Sequence, residues 1–242
     1  MIWFKFVIES MKKKISIVIP ILNENKNIRN LAKQINKNIK TLDYEVIFVD
    51  DNSTDGSIVT LKKIKQLNKR FNYTVNIGPR DLTQSCFRGI LKSKHDVIII
   101  MDGDLQHNPK YIEKLYYKLT NNNYDIVIAS RNFKKIKTSS LSVFRNILSR
   151  ILILIMYLIT KKNYSDPMSG YFIFKKKIFI KNKRNFYGKG YKILADFLYN
   201  IPNLKISEIF INFRNRANGK SKMNFKILIL LIIFMIKKTI KI

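Results

Sequence analysis

Residues 97–106 read Val-Ile-Ile-Ile-Met-Asp-Gly-Asp-Leu-Gln, a strand-like apolar run that stops at two carboxylates separated by one glycine. Continuous apolar runs are typical of buried parallel strands, and open α/β sheets bind ligands outside the carboxyl ends of their strands. Asp102 and Asp104 would repel each other there unless a cation lay between them. Mg²⁺ or Mn²⁺ suits that place, since one or two carboxylates plus substrate phosphates hold such an ion. The run therefore predicts a metal-dependent enzyme that acts on a phosphorylated substrate.

The first two-thirds of the chain alternates short apolar runs with segments of helical period. Strands are predicted at 15–20, 44–49, 73–77, 97–101 and 125–129, and helices at 24–40, 57–70 and 82–91. Pro109 suits the first turn of a further helix. Alternation of this kind predicts an α/β fold, a mostly parallel sheet with helices on both faces.

The pattern changes after residue 135. A long helix is predicted over 140–160, nearly all apolar from 151 to 159, followed by strands at 171–175 and 205–212 around a helix near 189–200. A second apolar run, 225–236, precedes a basic end. Neither run reaches the ~20 residues of a spanning helix. Their basic flanks suit helices that lie in a membrane interface, and burial in the core is the alternative for both.

These patterns divide the chain into three parts. Residues 1–10 are an appendage of unknown role, 11–222 form one large α/β domain, and 223–242 form an apolar and basic helix at the membrane interface. A chain of 242 residues is long enough for such a domain with a full core.

Charge and cysteine content narrow the function classes. Lysine and arginine number 46 against 16 acidic residues, a net charge of +30. This excess is compatible with nucleic-acid binding, with attraction to an anionic membrane surface, or with biased composition alone. Cys86 is the only cysteine, which excludes an intrachain disulfide or a Cys/His metal site and fits a reducing compartment.

Acidic residues also follow two other predicted strands. Asp50 and Asp51 end the second strand, where a carboxylate can accept hydrogen bonds from a nucleotide base or ribose, and Asp55 or Ser57 can cap the next helix. After the first strand, Asn23 is a candidate helix cap. Glu24 lies near the positive end of that helix or near a nucleotide.

Several later segments have both a structural and a functional interpretation. Residues 164–174 contain Asp-Pro and Ser-Gly pairs that predict a tight turn before an aromatic strand. Residues 214–222 form a basic loop that is either solvated or a diphosphate clamp.

Arg145 and Ser149 share a helix face that either binds a phosphate or carries a snorkelling arginine. His95 and His107 lack partners at a motif spacing and are predicted to lie at the surface.

Taken together, the motifs resemble those of the GT-A glycosyltransferases of family 2, and among them the polyprenol-phosphate (dolichol-phosphate) mannose synthases. The residues that carry the resemblance occur in the family's order at 20–24, 49–57, 101–109, 129–131, 166–172, 190–194 and 216–222. Three features depart from the usual pattern. Leu22 stands where an aromatic is usual, Gly103 replaces the common alanine, and residues 78–85 differ from the commonest mannose-synthase form.

The resemblance implies a GT-A, Rossmann-like domain that binds a nucleotide sugar and a divalent cation, Mg²⁺ or Mn²⁺. It implies a metal shell of Asp102, Asp104 and Gln106, with Gly103 in contact with the nucleotide. It implies phosphate-binding roles for Arg131, Arg216 and Lys222, and these three residues together with Asp104 form the candidate catalytic set. The acceptor phosphate would be received by Arg131, Arg145 and Ser149. The nucleotide site it implies is lined by Pro20, Leu22, Glu24, Val49 and Asp51.

The activity that the resemblance implies is transfer of a hexose, mannose from GDP-mannose in the closest members, onto a polyprenyl or dolichyl monophosphate. Direct displacement by that phosphate would invert the anomeric carbon. The protein would then lie peripherally on the cytoplasmic face of a membrane and would not bind nucleic acid. The resemblance leaves open a membrane-protein partner. Alternatives are a family 2 transferase that uses a UDP-sugar, such as glucose, for a lipid phosphate or polysaccharide, a basic nucleic-acid-binding protein, and a non-catalytic membrane scaffold.

Overall fold

A computed structural model describes residues 13–131, 153–154, 156–158, 160, 162–190 and 193–213. Its strands are β1 (Lys14–Ile21), β2 (Asp43–Asp50), β3 (Phe71–Val75), β4 (Val97–Ile100), β5 (Ile126–Arg131), β6 (Phe172–Lys175) and β7 (Ile206–Ile211). Its helices are α1 (Asn25–Asn38), α2 (Ser57–Leu67), α3 (Leu82–Lys92), α4 (Ile112–Asn121), α5 (Lys176–Asn182) and α6 (Ile193–Asn200), with 3₁₀ turns at Pro109–Tyr111 and Lys183–Asn185.

These strands form one seven-stranded sheet in the order β3-β2-β1-β4-β6-β5-β7. Only β6 runs antiparallel to its neighbours, β4 and β5, and the other pairings are parallel. The predicted mostly parallel α/β sheet is confirmed. Because two antiparallel pairings in succession restore the direction, β5 points the same way as β4. The carboxyl ends of β1, β2, β4 and β5 therefore meet at one edge, where the segment that leads into β6 also lies.

Apolar side chains cover both faces of this sheet, as the unbroken apolar strands predict. On one face Ile28 and Leu31 of α1 and Leu115 of α4 are buried in one cluster with apolar side chains of β1, β2 and β5. On the other, Phe87 of α3 meets Phe179 of α5 edge-on, with ring centroids 4.8 Å apart, and Phe179 stacks on Phe197 of α6 at 6.1 Å. The sheet, packed between these two layers, carries the loops at its carboxyl edge.

Gly89 lets α3 approach the sheet closely. A Cβ at this position would lie 2.3 Å from Cγ1 of Val18 and 3.0 Å from Cγ2 of Val49, and both of these valines are fully buried. Gly89→Ala is therefore expected to lower the free energy of unfolding by about 1–3 kcal/mol, through overpacking, as measured by urea denaturation. Gly78→Ala is the matched control, because the nearest atom to its added Cβ is Oδ1 of Asn76 at 3.9 Å. Equal losses in the two variants would contradict this account.

Some predicted boundaries are shifted. Strand β3 covers residues 71–75 instead of 73–77 because Phe71 pairs with Val46, and Ile77 lies beyond the strand with 91% of its surface exposed. Helix α2 ends at Leu67, since Asn68 adopts an extended conformation. The sequence did not predict α5, a short lysine-rich helix in which only Ile178 and Phe179 are buried.

Several predictions lie outside the described residues. They are the appendage at 1–10, most of the 140–160 helix, the apolar helix predicted at 224–240 within the 223–242 segment, and the site residues Arg145, Ser149, Arg216 and Lys222. Where the first apolar run is described, Met156 is buried in the core and Leu154, Tyr157 and Leu158 are exposed. None of the helices that the structure describes is long and apolar enough to cross a membrane.

Candidate nucleotide and metal site

The two carboxylates that follow β4 lie in a tight turn at the carboxyl edge of the sheet. The backbone N–H of Asp102 donates to Nδ1 of His107 at 3.0 Å, and that of Gln106 donates to Oδ1 of Asp104 at 3.1 Å. Leu105, between them, has a φ of +66°, in the left-handed region that non-glycine residues seldom adopt. The turn thereby holds Asp102 partly exposed and Asp104 buried at the same edge.

Two glycines allow other segments to approach this turn. A Cβ on Gly103 would lie 2.7 Å from Cγ2 of Ile21, at the end of β1. The glycine at this position, where the family usually has alanine, therefore avoids a clash with Ile21. A Cβ on Gly170 would lie 2.6 Å from Oδ2 of Asp102. Because Gly170 lacks that carbon, the Asp102 carboxylate can lie close to the Gly170 backbone.

His107 is buried, so its predicted surface position is wrong. Its ring stacks on Tyr171 with centroids 5.0 Å apart, and its Nδ1 lies 3.7 Å from Oδ2 of Asp102. Burial raises the pKa of Tyr171 well above its usual value, with a smaller contribution from Tyr111. The sequence around His107 carries no sign of this contact, because Tyr171 arrives from the segment before β6.

The acidic end of β2 lies at the same edge of the sheet, with β1 between it and β4. Oδ1 of Asp51 accepts three hydrogen bonds, from Nδ2 of Asn76 (2.8 Å), Oγ of Ser85 (3.1 Å) and the backbone N–H of Asp81 (3.3 Å). Within the described residues, Oδ2 of Asp51 receives no hydrogen bond. Asp50 is buried and its Oδ2 accepts the backbone N–H of Ser53 at 2.9 Å. Asp51 thus has one oxygen committed to the protein and one that a ligand can use.

The loops after β1 and β2 are joined by side chains that were predicted to cap helices. Asn23 has a φ of +54°, and its Oδ1 accepts the backbone N–H of Thr54 at 2.8 Å, so it does not cap α1. Oδ2 of Asp55 accepts the backbone N–H of Asn25 at 2.9 Å, while its Oδ1 accepts that of Ser57 at 3.1 Å. The capping prediction for Asn23 is wrong because its side chain crosses to the neighbouring loop. Asp55 bonds the start of both helices.

Arg131 ends β5 at the same edge and forms an ion pair with Asp166. Its Nε and Nη2 donate to the two carboxylate oxygens at 2.6 and 2.9 Å, and its guanidinium lies 5.6 Å from the ring centroid of Phe213. Burial alone would lower the pKa of Arg131, but the hydrogen bonds and charge of Asp166, with a contribution from Asp102, raise it. The predicted turn at 164–174 is present, since Ser169 N–H donates to the Asp166 carbonyl at 3.1 Å.

The fold brings most of the predicted nucleotide-site residues to one edge. Pro20 and Val49 pair in register, and Val49 is fully buried in the core, whereas Leu22 and Glu24 are partly exposed. Oε2 of Glu24 accepts Nδ2 of Asn27 at 2.6 Å. The predicted residues therefore divide into buried strand positions and partly exposed loop positions.

The metal prediction rests on two carboxylates and one amide. Across the described residues, no group of three or more His, Cys, Asp or Glu side chains is placed to hold a metal ion. Mg²⁺ and Mn²⁺, however, prefer oxygen ligands and use one or two carboxylates together with substrate phosphates. Asp102, Asp104 and the Gln106 amide fit that donor set, and the missing Cβ of Gly170 allows the Asp102 carboxylate its position in the turn.

The sheet order, the strand-end carboxylates and the flanking helices define a GT-A-like glycosyltransferase fold. The fold matches a glucosyl-3-phosphoglycerate synthase from Mycobacterium tuberculosis, solved with Mn²⁺, UDP-glucose and phosphoglyceric acid, with a TM-score of 0.70. That match covers 97% of this chain and 81% of the other at 15% identity, which supports the fold alone.

The chain belongs to glycosyl transferase family 2, whose sequence profile matches residues 16–182. A dolichol-phosphate mannosyltransferase from Pyrococcus furiosus is 32% identical over 217 residues, which are 88% of this chain and 60% of that relative. The chain thus spans less than two-thirds of the length of that protein. A dolichol-phosphate mannosyltransferase from Saccharomyces cerevisiae is 27% identical over 229 residues, 90% of this chain and 84% of the relative.

Proposed function

We propose that this protein is a metal-dependent, inverting glycosyltransferase that moves a hexose, mannose from GDP-mannose, onto a polyprenyl or dolichyl monophosphate. The observation that carries the proposal is that Asp51, Asp102, Asp104 and Arg131, from β2, β4 and β5, lie at one sheet edge in a family 2 chain. The names of the Pyrococcus and Saccharomyces relatives support the donor sugar and the acceptor.

Asp102, Asp104 and Gln106 are the residues we assign to Mg²⁺ or Mn²⁺. When bound, the cation would neutralise charge that develops on the leaving nucleoside diphosphate. Oδ2 of Asp51 is assigned to the base, with Pro20, Leu22, Glu24 and Val49 around the nucleotide and Gly103 in contact with it. Asp166 fixes the Arg131 guanidinium through two hydrogen bonds, which orients it at the edge where phosphates are expected.

The acceptor in this proposal is itself a nucleophile. A phosphate monoester is ionised at neutral pH, so the reaction requires no strong general base. Arg145 and Ser149, with Arg131, are assigned to the acceptor phosphate, and Arg216 and Lys222 to the diphosphate. The positive charges of the three arginines and the lysine would stabilise both phosphates while the sugar is transferred from the diphosphate to the acceptor.

A polyprenyl acceptor requires the protein to work at a membrane surface, and we propose a peripheral position on the cytoplasmic face. Leu154, Tyr157 and Leu158 are exposed around the buried Met156, so the described part of this apolar run faces both the core and the outside. The net charge of +30 favours attraction to anionic lipid.

A second candidate donor is a UDP-sugar, and one observation favours it. Oδ1 of Asp51 is occupied by three protein donors, which leaves one carboxylate oxygen for the base. Uracil presents one ring N–H donor, whereas guanine presents two adjacent donors that suit a carboxylate with both oxygens available. The M. tuberculosis structure contains UDP-glucose, which agrees with this candidate but comes from a distant chain.

Thermal shift measurements distinguish these candidates. GDP, GDP-mannose, UDP and UDP-glucose are added with Mg²⁺ or Mn²⁺, and a ligand at 100 times its Kd stabilises the folded state by about 2.7 kcal/mol. We expect GDP-mannose to raise the Tm most and duplex DNA to leave it unchanged. Transfer of labelled mannose to polyprenyl phosphate then tests the reaction. A larger shift with UDP-glucose would replace the donor, and no shift with any nucleotide would overturn the proposal.

A further inference from the structure

A four-residue strap, residues 187–190, crosses the N-terminus of α3 next to the candidate nucleotide site. The backbone N–H of Gly190 donates to Oδ2 of Asp81 at 2.7 Å, and the Gly190 carbonyl accepts from N and Oγ1 of Thr83 at 3.0 and 2.9 Å. The Gly188 carbonyl accepts from Nε2 of Gln84. The strap is therefore docked on the first turn of α3 by both of its glycines.

The other side of the strap is held by α6. Oδ1 of Asp196 accepts the backbone N–H of Tyr187 at 3.0 Å, and its Oδ2 accepts that of Gly188 at 2.9 Å. Gly188 and Gly190 have φ values of +69° and +93°, so each takes a left-handed conformation that favours glycine. Lys189, between these two glycines, is exposed at the tip of the strap.

Asp81 connects this strap to Asp51. Its backbone N–H donates to Oδ1 of Asp51 at 3.3 Å, and its side-chain Oδ1 accepts the backbone N–H of Gln84 at 3.0 Å, which caps α3. Burial raises the pKa of Asp81, and the negative charge of Asp51 adds to that rise, against hydrogen bonds that lower it. One residue thus contacts the proposed base-binding carboxylate, the helix end and the strap.

We propose that Asp81 is a positioning residue that couples nucleotide binding at Asp51 to the docking of the strap. The inference rests on the proposed function only in placing a nucleoside diphosphate at Asp51. A ligand bound to Asp51 in its present orientation stabilises the hydrogen bond between Oδ1 of Asp51 and the backbone N–H of Asp81. The side chain of Asp81 in turn binds the backbone N–H of Gly190. Nucleotide binding and the order of the strap therefore strengthen each other, and the exposed side chain of Lys189 is held at a defined place beside the site.

Asp81→Asn tests this coupling because, at almost unchanged volume, it replaces one acceptor oxygen by an NH2 donor and removes the negative charge. The carboxylate uses both oxygens, one for Gln84 and one for Gly190, whereas an amide has a single acceptor oxygen. The variant must lose one of the two bonds while its volume stays the same. Asp196→Asn is the matched control, since Asp196 also accepts strap N–H groups through both oxygens but forms no hydrogen bond to Asp51.

Residue-resolved amide hydrogen exchange supplies the readout, with GDP or UDP and Mg²⁺ as probes. In the wild-type protein the nucleotide that raises the Tm should slow exchange at both Asp81 and Gly190 by at least about tenfold. Asp81→Asn should speed exchange at Gly190 without nucleotide and remove its protection by nucleotide. Asp196→Asn should speed exchange at Gly188 while protection at Asp81 persists. In turnover, Asp81→Asn should raise KM for the nucleotide sugar more than it lowers kcat.

The outcomes separate the two proposals. Protection of Asp81 without protection of Gly190 in the wild-type protein would overturn the coupling and leave the proposed function standing. Protection of neither amide by either nucleotide would overturn the nucleotide site itself, and the coupling with it. Because this comparison needs only the wild-type chain, it holds even if Asp81→Asn does not fold. Unchanged exchange at both Gly190 and Gln84 in a folded Asp81→Asn variant would also overturn the positioning role.

Discussion

Replacing Asp104 by asparagine is expected to reduce sugar transfer by at least about 100-fold, because it removes one of two carboxylate charges assigned to the cation. The fold should tolerate the change. Oδ1 of Asp104 accepts the backbone N–H of Gln106 at 3.1 Å, and the amide oxygen of asparagine can accept the same bond. We therefore expect the unfolding free energy to fall by less than about 1 kcal/mol.

A measurement that does not depend on turnover accompanies this prediction. In the wild-type protein, Mn²⁺ added with the preferred nucleotide should raise the Tm beyond the shift that the nucleotide gives alone, and Asp104→Asn should lose that increment. Asp43→Asn serves as the control, because Asp43 begins β2 at the opposite edge of the sheet. Wild-type turnover and an intact Mn²⁺ increment in Asp104→Asn would refute the metal assignment.

Replacing Arg131 by methionine is expected to have the largest effect on stability, about 3–5 kcal/mol, because it leaves a buried carboxylate without its cation. The Asp166 side chain is 2% exposed and accepts hydrogen bonds from Nε and Nη2 of Arg131. Urea denaturation at neutral pH measures the loss. A smaller loss, below about 1 kcal/mol, would mean that water or another group compensates Asp166.

The double variant Arg131→Met with Asp166→Asn identifies the cause. Removing the charge of Asp166 should make the double variant more stable than Arg131→Met alone, since the buried negative charge is then gone. If the losses of the two single variants simply add, the ion pair does not account for the effect. Neither stability measurement requires a substrate, so the result stands independently of the proposed reaction.

Local patterns were enough to predict the α/β class and much of the candidate site. The apolar run before Asp102 and Asp104 and the acidic end of β2 were both recognised as strand ends, and parallel pairing places them at one edge. This part of the site could be predicted because the apolar residues of a strand and the acidic residues that follow it are neighbours in the sequence. The family match over residues 16–182 agrees with the motif order.

Contacts between distant segments could not be predicted in this way. His107 was expected at the surface, yet it stacks on Tyr171, and the Asp166 turn also binds Arg131. The direction of β6 explains these contacts, since its antiparallel insertion brings the segment before it to the carboxyl edge.

The sequence by itself determined the α/β alternation, the strand-end carboxylates and the family of this protein. Only the tertiary structure decided which oxygen of Asp51 is occupied, what Arg131 pairs with, and that Asp81 holds the strap. The period of hydrophobic residues is a property of consecutive positions, so it can be recognised from the sequence without the fold. Hydrogen bonds among side chains depend on sheet order and helix packing, and these bring together residues that no local pattern relates.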